Sequence, residues 1–313
     1  MIGPTVTRPW FWAFAAAAVT FAATVALTGS QGGVELLMAT LTFASFSVLV
    51  GLGQMAVITM GPGNVDLSIP AVMTLAGTLS LKLMNGAAGM EIWGLLAALA
   101  IGVAAGAGNY ALIFLLRIPP IIATLSASFV FQSLAIWSNR GLRIKPPDSL
   151  AGFSTGASLG LPNLAWIALV AAMAFWLLIE RSAYGRRLSA IGQNLRAARL
   201  AGIPVEGVRA GTYVLSAAMA ALAGFLLSCF SGGAALNMGA EYLLMSIAVV
   251  VIGGSSIAGG NSNVPGIWGA AMFMFLIVSM LNSYGLGAGV RLVLTGVIII
   301  GIVTAASGRR LPG

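Results

Sequence analysis

The sequence predicts an all-α, polytopic membrane protein of about ten transmembrane helices, on three observations. Hydrophobic residues make up 59% of the 313, charged residues 7%, and mean hydropathy is +1.02. Ordinary soluble domains carry roughly 25% charged residues, so 22 charges cannot build a water-facing surface. Charge-free stretches of spanning length recur along the whole chain: 9–34, 36–65, 92–116, 118–139, 149–179, 210–240, 242–290 and 292–308. Glycine supplies 41 residues, which suits helices that approach closely in lipid.

A spanning helix needs about 20 apolar residues. The first span, 10–28, opens on Trp10, Phe11 and Trp12, an interfacial anchor, and reads as an uncleaved helix rather than a secretory signal. The second covers 34–60. The third, 67–84, tolerates Lys82 because a lysine near a helix end reaches out to the interface. Spans four to seven are 92–116, 119–138, 161–179 and 210–230. The run 242–290 is too long for one helix and is broken by GGSSIAGGNSNVPG, so it divides into 241–258 and 264–283. The tenth is 290–307. The whole is read as one transmembrane domain, 1–313.

The composition excludes several chemistries. There is no histidine and one cysteine, Cys229, in an apolar run, so the residues for a zinc site, a Cys-His nucleophile or an intrachain disulfide are missing. Neither lysine, Lys82 or Lys145, lies in a phosphate-binding G-x-x-x-x-G-K-[ST] loop, so the chain is not expected to be an enzyme or to hold a cofactor. The pI of 10.6 does not imply nucleic acid, because no basic-aromatic surface lies outside the apolar spans. The excess arginine reads as topology. With both termini inside, the inner segments hold Arg8, Arg117, Arg181, Arg186, Arg187, Arg196, Arg199, Arg209, Arg309 and Arg310. The outer ones hold Lys82, Arg140, Arg143, Lys145 and Arg291. That is ten against five, as the inside preference of basic residues requires.

Two loops exceed turn length. The outer one, 139–160, is polar, rich in Gly and Pro, and predicted to be irregular. Within the inner one, 180–209, SAIGQNLRAARLAG has helix-forming composition, stopped by Gly202 and Pro204, a C-terminal glycine and a following proline. Ala197, Ala198, Leu200 and Ala201 give that helix a small apolar face with an arginine rim, suited to a groove on another protein. An ordinary basic inner loop has the same composition.

The run YGRRLSAIGQNLRAARLAGIPV resembles the cytoplasmic coupling loop of sugar-type ABC importer permeases, the ribose and branched-chain amino-acid permease superfamily. The family's pattern G-x-x-x-x-A-x-G-x-N-x-x-A-A-x-x-x-G-I falls on Gly185, Ala190, Gly192, Asn194, Ala197, Ala198, Gly202 and Ile203. IPPIIATLSAS, GQMAVITMGPGNVDLSIPAVMTLAG and VVIGGSSIAGGNSNVPGIWGA are similar to further family segments, in the same order, over roughly 35–307. Pro70, Asn261-Ser262-Asn263 and Pro265 depart from the pattern. The resemblance implies a permease subunit in the bacterial inner membrane that moves a sugar or sugar-like solute by alternating access. It implies ABC ATPase subunits that hold ATP and Mg and bind 180–209, a periplasmic substrate-binding protein on 139–160, and a second permease subunit, identical or a paralogue. On this reading the eight motif residues couple the chain to the ATPase. Gly192→Arg or Ala198→Glu is expected to leave insertion intact and abolish coupled transport.

The alternative is a self-contained secondary transporter or channel, which would need ionisable groups at mid-membrane. The candidates for a translocation path or gate are Gln54, Asn64, Asp66, Ser68, Gln132 and Asn282. Asp66, the only acid between Glu35 and Glu91, also reads as a cap on the third span. Gly102 and Gly106 form a close-packing step. The Gly-rich breaks MGPGNVDLSIPAVM and GGSSIAGGNSNVPGIWGAAM resemble one another and suggest an internal repeat. Both fall on the inner side, so they do not by themselves establish inversion. The family resemblance implies two five-helix halves related as an inverted repeat.

Overall fold

A computed structural model of the chain describes residues 9–27, 32–139, 144–284, 287, 289–290, 293–294, 296–298 and 300–301. The long helices are α1 (Pro9–Leu27), α2 (Gly33–Thr59), α4 (Glu91–Leu116), α5 (Pro120–Ser138), α7 (Asn163–Trp176, continued by a π-turn to Arg181), α10 (Val205–Phe230) and α12 (Val264–Ser283). These seven are long and apolar enough to cross a membrane. Two more, α3 (Ile69–Met84) and α11 (Tyr242–Ile252), are apolar but shorter. The short helices are α6 (Asp148–Thr155), α8 (Ala183–Gln193) and α9 (Leu195–Leu200). The fold is all-α and polytopic, with nine of the ten expected spans in place among the described residues. The tenth, 290–307, lies largely outside them.

The centre is formed by α2 and α10. Every residue from Ala44 to Thr59 is buried, as an all-round apolar helix must be when protein surrounds it. Helix α10 packs on α3 and α4, while α2 packs on α11 and α12, and the two central helices pack on each other. Each therefore holds the short helix and the following long helix of the other half. Thr59 at the end of α2 lies against Gly192 of α8, and Thr212 in the first half of α10 bonds to Tyr184 of α8, so the two run antiparallel. This exchange is the signature of an inverted repeat about α2 and α10. It does not extend to the outer helices: α1 packs on α12, and α7 on α2.

The equivalent interruptions are not the two that look alike in sequence. The breaks at 60–68 and 253–263 meet at the same face, where the Gly260 N–H donates to the Thr59 carbonyl at 2.9 Å. By inversion, 60–68 after α2 matches 231–241 after α10. Each segment turns back from a membrane face to its interior, and there a short helix begins. Helix α3 has 16 residues and α11 has 11. At the rise of an α-helix these lengths give about 24 Å and about 16 Å, each less than the ~30 Å hydrocarbon thickness. Their starts lie at one depth, since a Cβ on Gly239 would strike the Pro70 carbonyl. The predicted span 241–258 accordingly ends at Ile252. Gly254, Gly259 and Gly260 take φ of 88°, 86° and 76°, left-handed values that no right-handed helix can contain.

The two prolines that depart from the family pattern, Pro70 and Pro265, occupy first-turn positions of α3 and α12, where a missing N–H leaves nothing unpaired. Asn263 closes the second break. Its side chain accepts from Gly266 N–H at 3.4 Å and donates to the Gly253 carbonyl at 2.8 Å. Gly102 and Gly106 face α10 backbone at Ala217–Ala218 and Tyr213–Val214. Gly224 of α10 lies on the Met73 carbonyl of α3, with no room for a Cβ. Gly224→Val is expected to force the helices apart and cost about 1–3 kcal/mol; a lower thermal midpoint of the detergent-purified protein checks it.

Loop 139–160 is not irregular throughout. Pro146 and Pro147 lead into α6, and Ser149 Oγ donates to the Glu91 carboxylate at 2.5 Å. A tight hairpin pairs β1 (Ala157–Ser158) with β2 (Leu161–Pro162), and its turn residues Leu159 and Gly160 both have positive φ, as a type I′ turn requires. Residues 140–143 lie outside the described set.

Candidate functional site

Loop 180–209 folds as two helices rather than one. Asn194 is the reason. Its backbone is extended, with φ of -158° and ψ of 105°. Its Oδ1 accepts from Arg196 and Ala197 N–H, each at 3.0 Å, which ends α8 and caps the start of α9. Helix α9 closes in a Schellman motif. Gly202, at φ 75°, donates to the Arg199 carbonyl at 3.0 Å, and Ile203 N–H to the Ala198 carbonyl at 3.1 Å. Ser182 caps α8 by accepting from Gly185 N–H at 3.3 Å.

The eight motif residues separate by position. Gly185 packs on the Ile179 carbonyl and Gly192 on the Thr59 carbonyl and Gly260 backbone, both without space for a side chain. Ala198 is buried at 3% exposure. Ala190 and Ile203 are half-buried, and Ala197 is exposed with Asn194 and Gly202. The free surface of α9 carries Leu195, Arg196, Ala197, Arg199 and Leu200, the last 91% exposed. Gly192 thus seats α8 against both Gly-rich breaks, while the outward apolar face belongs to α9.

A chain of side chains leads from α9 into the membrane. Arg199 Nη2 donates to Glu206 Oε1 at 2.5 Å, and Arg209 lies 3.5 Å from Glu206 Oε2. The Tyr110 hydroxyl of α4 donates to Glu206 Oε2 at 2.5 Å. Tyr110 stacks on Tyr213 of α10, with ring centroids 6.3 Å apart, and the Tyr213 hydroxyl donates to Asn64 Oδ1 at 3.3 Å. Asn64 Nδ2 holds the Gly61 carbonyl at 3.1 Å. The exposed helix α9 is therefore tied to α4, α10 and the first break together.

At the end of that break Asp66 is fully buried. Its Oδ1 accepts from Ser68 N–H at 3.0 Å and Ser68 Oγ at 2.6 Å, and its Oδ2 from Ser216 Oγ at 2.8 Å. Its own N–H donates to Gln54 Oε1 at 3.2 Å, and Asn109 Nδ2 donates to Ser68 Oγ at 2.7 Å. The carboxylate joins the start of α3 to α10, and through the Asp66 N–H and Ser68 Oγ the same cluster reaches α2 and α4. This is more than a cap on α3, and it holds the break at mid-depth, where water cannot satisfy the backbone.

Of the path candidates, Gln54, Asp66 and Ser68 are buried in this cluster with Asn64 beside it. Gln132 is apart, on α5, where Nε2 donates to the Leu236 carbonyl at 2.7 Å. Asn282 is exposed near the end of α12 and joins neither group. Sequence reasoning did not single out Tyr110, Tyr213, Ser216 or Glu206. Nothing in the spacing of SAAMAALAG marks Ser216 as the residue facing Asp66. Among the described residues no group of three or more His, Cys, Asp and Glu forms a metal site.

The profile of a family described as "branched-chain amino acid transport system / permease component" matches residues 36–303. The chain is 34% identical over 247 residues to the galactofuranose transporter permease protein YtfT of Escherichia coli K12, covering 78% of this chain and 69% of that one. It is 30% identical over 265 residues to the autoinducer 2 import system permease protein LsrC of Salmonella paratyphi B, covering 84% and 76%. The Klebsiella pneumoniae protein of the same name is 31% identical over 262 residues, covering 83% and 76%. No solved structure matches the chain.

Proposed function

Because the chain belongs to the family of branched-chain amino acid transport system permease components, we propose that it is the membrane-spanning subunit of an ATP-driven importer for a sugar-like solute. The observation that carries the mechanism is the placement of α8 and α9. Gly192 wedges α8 against both Gly-rich breaks, and α9 presents Leu200 outward. A separate ATPase, holding ATP and Mg, would grip Leu195, Ala197 and Leu200. Its closure would move α8 and α9 as a unit, and the Arg199–Glu206–Tyr110 link would carry that motion to α4 and α10. Such a two-state element is what alternating access needs. The relatives named for galactofuranose and autoinducer 2 transport support a small polyhydroxylated solute. In this reading both termini face the cytoplasm across the bacterial inner membrane, a binding protein docks on 139–160, and a second permease subunit completes the path.

The test is co-purification of an ATPase with the chain, followed by reconstitution of the complex with its binding protein. Uptake that requires ATP and all components is expected. Solute uptake by this chain alone in liposomes would overturn the proposal.

A further inference from the structure

Glu241 looks in sequence like a charge at the end of a span, but the lengths of the helices around it point to a position at mid-depth. It directly precedes α11, which has 11 residues. That length brings the chain only about 16 Å from the inner face, roughly half of the ~30 Å core. Its neighbour Gly239 lies on Pro70, where α3 also begins. At that depth Glu241 is exposed on the surface of the chain, and so is Asn237. The segment that carries them is joined to α5 through the bond from Gln132 to the Leu236 carbonyl. Ser126, Phe129 and Ser133 of α5 are exposed alongside. The exposed positions of α4 between Leu96 and Leu116 and of α7 between Leu169 and Leu177 are, in contrast, Ala, Gly, Leu, Val, Met or Phe. Those faces suit lipid. A carboxylate and an amide at mid-depth do not, and such groups turn toward a water-filled cavity or a protein partner.

Resting on the permease reading above, we propose that segment 236–241 and α5 form the wall of the translocation path, and that Glu241, Asn237 and Gln132 bind the passing solute. The chemistry selects a neutral polyhydroxylated molecule. A carboxylate accepts two hydroxyl hydrogen bonds, an amide both donates and accepts, and Phe129 offers an apolar face for a sugar ring. An anionic solute would be repelled by Glu241. Asp66, by contrast, is consumed by internal bonds and takes no part in binding.

The one native cysteine, Cys229, is fully buried, so single cysteine variants report on their own positions. Glu241→Cys, Asn237→Cys and the α7 control Val170→Cys are made in the complete transporter in membrane vesicles and treated with a charged, membrane-impermeant thiol reagent. Labelling at 237 and 241 is expected at least ~10-fold faster than at 170, because water reaches the path and not the lipid face. Glu241→Gln, which keeps shape and removes charge, is expected to cut uptake about 10-fold with the ATPase still co-purifying. Labelling at 237 and 241 no faster than at 170 would show a face closed by protein contact and overturn the proposal, as would wild-type uptake by Glu241→Gln. Failure of the wild-type chain to co-purify an ATPase sinks the permease reading instead, and leaves the labelling comparison standing.

Discussion

Asp66→Ala is expected to reduce uptake below about a tenth of the unsubstituted level and to destabilise the protein by about 2–4 kcal/mol. The substitution strands the Ser216 hydroxyl and the Ser68 N–H in a fully buried site without their acceptor. It also removes the Ser216 tie between α10 and the end of the break, leaving the Tyr213–Asn64 bond as the remaining side-chain hydrogen bond between them, so the start of α3 is held less firmly. Thermal unfolding of the detergent-purified complex reads the loss of stability, and transport in reconstituted vesicles the loss of uptake. Asp66→Asn keeps the shape and one acceptor oxygen, and its amide is still within reach of Ser216. That variant is expected to recover most of the stability. A wild-type thermal midpoint for Asp66→Ala would show that the cluster does not hold the break.

Leu200→Glu is expected to abolish association with the ATPase while leaving the fold alone. Leu200 is 91% exposed on α9, so the substitution should change stability by no more than about 0.5 kcal/mol. A charge placed in an apolar docking contact costs about 2 kcal/mol or more of binding, or ~30-fold in affinity. Pull-down of the ATPase by the solubilised variant, with the unfolding midpoint measured beside it, separates the two. Retained ATPase binding would move the docking surface away from α9. Gly192→Arg and Ala198→Glu, attractive from the motif alone, are poorer probes. Gly192 sits against the Thr59 carbonyl, and Ala198 is buried, so both would disturb the seating of α8 and α9 before they reached any partner.

The legible part of the molecule was the part governed by local rules. Seven of the nine described spans lie within a few residues of their predicted limits; the exceptions are the seventh, where α10 starts at Val205 rather than 210, and the eighth, cut to Ile252 by the glycines that follow it. Gly202 ends α9 as its position foretold. Asn194 was legible as a motif residue but not as a helix break, because a cap depends on which backbone N–H groups its side chain reaches.

Pairing was not legible. The two Gly-rich breaks share a composition, yet they are spatial neighbours at one face, and it is 231–241 after α10 that takes the place corresponding to 60–68 after α2, its end lying against the start of α3. Likewise Glu241 and Asp66 are each a lone acid near the start of a helix. One is enclosed by Ser68 and Ser216, and the other is exposed on the surface of the chain at the same depth. By itself the sequence determined the class of protein, the membrane spans and the family, since hydropathy, caps and motifs act over a few turns of chain. Only the tertiary structure decided which carboxylate is scaffold and which faces outward. That depends on how α2 and α10 cross, and on residues far apart in sequence that meet at the crossing.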